Sequence, residues 1–152
     1  MTDKDDWIKT YIQTGVRPKI DEFGWMCQAV FHPEGDKSPF CYTIGLTEQD
    51  PGHPEFIVFA IAPPTAHTIL TTFANRVMAG EKFQDGQELE GIIEGYPVRL
   101  RRVEDPSLHT AMIYNTYGAF SPVLQILLPD KEGRFPGEPG CELEGPNVQP
   151  IP

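Results

Sequence analysis

The side chains best suited to chemistry in this chain gather around residues 39–61, PFCYTIGLTEQDPGHPEFIVFAI, where His53 and Glu55 flank a proline and follow Cys41, Tyr42 and Thr43. A histidine beside a carboxylate can act as acid, base or anchor. The triplet His53-Pro54-Glu55 has the His-x-Glu form used by zinc deaminases, but that chemistry also needs a Pro-Cys-x-x-Cys, which this sequence lacks. A metal set from His53, Glu55, His67 and His109 has none of the tight or i, i+4 spacings that favour a site. Cys41 with His53 is the pairing easiest to make as nucleophile and base, against the plainer reading of Cys41 as a small buried strand residue. Nucleophile-elbow, phosphate-loop and dinucleotide signatures are absent. Two further groups have ligand-binding chemistry. Arg99, Arg101 and Arg102 could clamp an anion or protect an edge strand, and His67, Thr71 and Asn75 fall on one helical line of solvated polar residues.

Positioning these residues requires a sheet. Six runs have strand character: residues 25–31, 40–46, 56–61, 89–94, 96–103 and 123–128. Residues 56–61 are apolar on both faces, as a central strand covered from both sides must be. Gln125 interrupts the last apolar run and must find partners there, because a buried amide left unpaired costs about 1–3 kcal/mol. Pro97 places the fifth run near an edge. The clearest helix starts after Pro63-Pro64-Thr65, with Ala66, Ile69, Leu70, Phe73, Ala74, Val77 and Met78 on one stripe and Gly80 as its stop. A first helix carries Trp7, Ile8, Tyr11 and Ile12 and is expected to end at Gly15, and a short one follows Asp105-Pro106-Ser107.

The chain has 152 residues, enough for one core. We read residues 1–22 as a helix and linker, 23–129 as an α+β core, and 130–152 as an irregular acidic Pro/Gly-rich tail held on the core by Phe135 and Ile151. The fold expected is a single α+β domain with a mainly antiparallel or mixed sheet and one crossover helix packed on it. A small split β-barrel of the flavin-binding kind is the alternative. The net charge of −10 opposes nucleic acid and anionic membrane as partners. Three scattered cysteines, Cys27, Cys41 and Cys141, suggest free thiols in a reducing cytoplasm, and no run approaches membrane-spanning length.

The order Gly24-Trp25, Pro39 to Leu46, His53 to Phe59, Tyr96-Pro97-Val98, then Gln125, Pro129-Asp130, Gly133 to Pro136, Glu138-Pro139-Gly140 and Gln149-Pro150 resembles domain-of-unknown-function family 4262 (DUF4262) over about residues 23–150. The resemblance implies a cytosolic bacterial or phage protein and supplies no catalytic residues. Relatives carry Ala in place of Cys41, which weakens a nucleophilic role, and Trp in place of Gly137. On these grounds the expected function is small-ligand binding in a pocket at the strand ends, reached by Tyr42, Thr43, His53, Glu55 and Gln125, with catalysis and cofactor left open. An acidic interaction module covering a basic partner is the alternative.

Overall fold

The computed structural model describes residues 3–30, 39–50, 53–59, 61, 63–93, 95–108 and 110–129. The expected turn at residues 33–36, Cys141, His109 and the tail with Phe135 and Ile151 lie outside these residues. The elements run α1 (Asp3–Tyr11), a π-helical turn (Ile12–Val16), α2 (Arg17–Phe23), β1 (Met26–Val30), β2 (Phe40–Ile44), α3 (Leu46–Gln49), β3 (Glu55–Phe59) and α4 (Pro63–Met78). They continue with β4 (Glu88–Ile93), β5 (Tyr96–Arg102), a 3-10 turn (Pro106–Leu108), α5 (Ala111–Tyr117) and β6 (Val123–Leu127).

The six strands form one mixed sheet in the order β1-β2-β3-β6-β5-β4. Only β3 and β6 run parallel, and the other neighbours are antiparallel. All five residues of β3 are buried, as are all five of β6, which is what two adjacent middle strands with layers on both faces require. The sheet is open, with β1 and β4 as its ends, so the split barrel is not the architecture. Its strands alternate side chains between two faces, and each face has enough apolar surface to hold its own helical layer. Pro97 lies one strand in from the end, but in the part of β5 before Arg99, where pairing to β6 begins. Its missing N–H therefore costs no bond to β6.

Two cores sandwich the sheet. On one face Phe56, Val58, Leu124, Ile126, Val98 and Leu100 meet the α4 stripe of Ala66, Ile69, Leu70, Phe73, Ala74 and Val77. On the other, Phe40, Tyr42, Ile44, Ile57 and Phe59 meet Val16 and Ile20 from the N-terminal helices and Ile113 from α5. The N-terminal segment differs from the expectation at Gly15. The helical path does not stop there but widens through one π turn and continues as α2, because Val16 and Ile20 are buried and draw the chain onto the sheet. The stop is Gly24, left-handed at φ 88°, whose N–H donates to Ile20.

Candidate functional site

Glu55 opens β3 with its side chain fully buried. Its carboxylate accepts from Thr43 Oγ1 at 2.8 Å and Tyr117 Oη at 2.6 Å, and from the backbone N–H groups of Gly45 and Leu46 at 3.2 Å and Thr47 at 3.1 Å. These amides are the free N-terminus of α3, whose N-cap, Gly45, has no side chain to satisfy them. Glu55 supplies the missing cap from another strand. Gly45 is required for two reasons. Its φ is 119°, and a Cβ there would come within 2.7 Å of Gly24 O and 2.8 Å of Trp25 Cα. Burial pushes the Glu55 carboxyl above the ordinary glutamate range, while the Tyr117, Thr47 and Thr43 donors pull it back. The Tyr117 phenol is raised in turn, by burial and then by the Glu55 charge.

His53 stands beside this hub and is also committed to structure. Its Nδ1 donates to Pro54 O at 2.7 Å, while Nε2 accepts from the Phe83 N–H at 3.3 Å, an arrangement that assigns the proton to Nδ1. The ring is 5% exposed and packs on Phe56 and edge-on against Phe83. Thr47 Oγ1 donates to the His53 carbonyl, so the loop before β3 is tied to α3 as well.

The five expected site residues divide between the two faces. Thr43, His53 and Glu55 meet where β2 ends and β3 begins. Tyr42 lies in the opposite core, its hydroxyl accepting from the Met112 N–H of α5 at 3.2 Å, and burial lifts its phenol. Gln125 is fully buried between Leu124 and Ile126, which face α4, so its side chain points to the other face. It stands there across from Ile57 on β3 and Arg101 on β5. The arginine triplet is likewise dispersed. Arg99 pairs with Glu88 across the strand at 2.7 Å, and the Arg102 N–H donates to Asp85.

A groove of about 520 Å³ opens elsewhere, between β1 and α4. Along α4 it is lined by His67, Thr71, Asn75 and Met78, the polar line seen in the sequence extended by one apolar residue. Lys19 and Phe23 of α2 and Trp25, Met26 and Cys27 at the start of β1 complete its lining. The Trp25 ring is buried and stacks on His67, with centroids 6.0 Å apart and planes at 26°. Phe23 and Met78 at the rim are 59% and 40% exposed. The groove and the Glu55 hub are mechanically linked, because Gly45, which donates to Glu55, packs directly on the backbone of Gly24 and Trp25. Sequence reasoning found the α4 line but missed Lys19 and Phe23. The apolar periodicity ends the first helix at Gly15 and assigns no helix to Lys19 and Phe23, which only the folded chain carries to α4 on α2.

The fold is thus an open, mixed-sheet α+β domain with a buried carboxylate hub supporting an edge groove. Residues 19–142 match the family model described as a domain of unknown function (DUF4262), and the chain belongs to that family. No curated protein and no solved structure matches it. Among the described residues no group of three or more His, Cys, Asp or Glu side chains is placed to hold a metal ion. No helix among them is long and apolar enough to cross a membrane.

Proposed function

We propose that this protein binds a small molecule with a flat apolar part and hydrogen-bonding edges in the groove between β1 and α4. One observation carries the reading. A groove of about 520 Å³, within the range of roughly 300–1,000 Å³ usual for small-ligand sites, is lined by Trp25, Met78 and Phe23 together with the polar side chains of His67, Thr71, Asn75 and Lys19. Aromatic and thioether surface supplies the area for a ring to stack on, and the four polar groups supply orientation. Thr71 Oγ1 already donates to the His67 carbonyl at 2.7 Å, so its oxygen is presented as an acceptor. In this reading Thr43 and Glu55 position Trp25 through Gly45, His53 anchors the loop before β3, and Tyr42 and Gln125 serve the opposite layer.

The test is a thermal-shift screen with nucleotides, flavins and other aromatic metabolites, since a ligand that binds only the folded chain must raise its midpoint. A hit should quench the emission of Trp25 in a Trp7→Phe background. Its affinity should fall about tenfold, the equivalent of losing one hydrogen bond's worth of roughly 1.4 kcal/mol, in His67→Ala and in Asn75→Ala. Hits whose affinity is unchanged in both variants would place the ligand site elsewhere.

A further inference from the structure

The groove between β1 and α4 differs in charge from the chain that forms it. The sequence carries 22 acidic against 12 basic side chains, for a net charge of −10. The groove lining nevertheless includes Lys19 and His67 and no Asp or Glu. Three other hollows on the surface each include a carboxylate: Glu90 in one, Asp50 in another, and Asp85 with Glu104 in a third. Lys19 is also uncommitted. Arg17, Arg76 and Arg99 are held in ion pairs with Glu48, Glu81 and Glu88, whereas Lys19 has no acid within ion-pair distance among the described residues.

An exposed ammonium without a partner says little by itself, but this one stands among aromatic groups. Lys19 and Phe23 are four residues apart on α2, so the ammonium and the phenyl ring are offered from the same side of that helix, and both line the groove. The Trp25 ring is buried and stacks on His67 of α4 in the same lining.

We propose that the small molecule taken up by this groove is a planar aromatic acid, its ring lying on Trp25, Phe23 and Met78 and its carboxylate pairing with Lys19. The inference rests on the groove being the ligand site and adds the charge of the ligand. An aromatic amine would set a second cation beside Lys19 with no carboxylate in the lining to receive it. A neutral ring would cover the ammonium and give it no partner, at a desolvation cost. A phosphate monoester carries about −1.5 to −2 charge at neutral pH, more than one lysine can balance in a chain that already repels anions at long range. One carboxylate matches one ammonium. Because the field of the whole molecule opposes anions, the selection is local to Lys19, and neutralising that single side chain removes it.

The experiment is calorimetric titration of the full chain, at low salt, with benzoate, 2-naphthoate and indole-3-acetate, each beside its primary amide, and with 2-naphthylmethylamine and 2-naphthyl phosphate. The expected result is an acid that binds about fivefold tighter than its amide, the upper end for an exposed ion pair. Lys19→Gln, at an exposed helix position that glutamine suits, should bring acid and amide to the same affinity, and Lys19→Arg should keep the gap. Equal affinity for acid and amide in the wild type would overturn the proposal, as would tighter binding of the amine or the phosphate, or a gap that survives in Lys19→Gln. If binding in those cases still weakens in His67→Ala, the groove stands as the ligand site and only the charge assignment falls. Absence of binding by every probe would remove both.

Discussion

At the residue scale the decisive group is Glu55. A carboxylate can be buried when donors surround it, and here two hydroxyls and three backbone amides do so. Glu55→Ala strands these donors in a dry interior at about 1–3 kcal/mol for each one left unsatisfied, so the variant should unfold at much lower urea concentration. The isosteric Glu55→Gln probes titration instead. Since burial raises the folded carboxyl above its ordinary value of 4.5, the native chain holds this proton more tightly than the unfolded one. The stability that Glu55 contributes is therefore fully present below that value and declines as pH rises through the higher folded one. The stability difference between wild type and Glu55→Gln, followed by urea unfolding, should shift against wild type over that interval. A difference that grows in favour of wild type with rising pH would mean that the donors, not burial, govern the group.

At the scale of elements, the short helices are held by side chains arriving from elsewhere. α3 has four residues and cannot sustain itself, so its N-terminus depends on Glu55. α5 is pinned near one end by Tyr42, which accepts from Met112, and at the other by Tyr117, which donates to Glu55 and accepts from Gly45. Removing one hydroxyl tests this coupling. Tyr117→Phe should cost about 1–3 kcal/mol, because it takes away a donor to a buried charge and leaves the phenyl ring packed. Hydrogen exchange should then accelerate in α5 and in the first amides of α3 together, with β4 and β5 unaffected.

At the scale of the whole molecule, two cores share one sheet, so loss of either should be felt as global instability. Phe73 is fully buried among Phe56 and Phe83, with ring centroids at 4.8 and 5.1 Å. Phe73→Ala should destabilise the protein by about 3–5 kcal/mol. Ile113→Ala, in the opposite core, should shift the same single transition by about 2–5 kcal/mol. Two separated transitions in either variant, by tryptophan emission and far-UV circular dichroism, would show that the layers unfold independently.

The six strands and the long helix were legible in the amino-acid order, because period-two and period-3.6 apolar patterns are local consequences of which side chains must leave water. Leu124 and Ile126 flanking Gln125 marked β6, and the Ala66-to-Met78 stripe marked α4 without any knowledge of their partners. Sequence also grouped Tyr42, Thr43, His53, Glu55 and Gln125 as one pocket, and His67, Thr71 and Asn75 as a line. What it could not decide was which of these faces a cavity. Hydrogen-bond partners and neighbours across strands depend on register and on strand order, and β3 lies beside β6 only through a parallel pairing across more than sixty intervening residues. Tertiary structure thus turned Glu55 from a loop carboxylate into the cap of α3. It set His53 against Phe83, divided Tyr42 and Gln125 from the other three, and brought Lys19 and His67 into one groove that no local pattern announces.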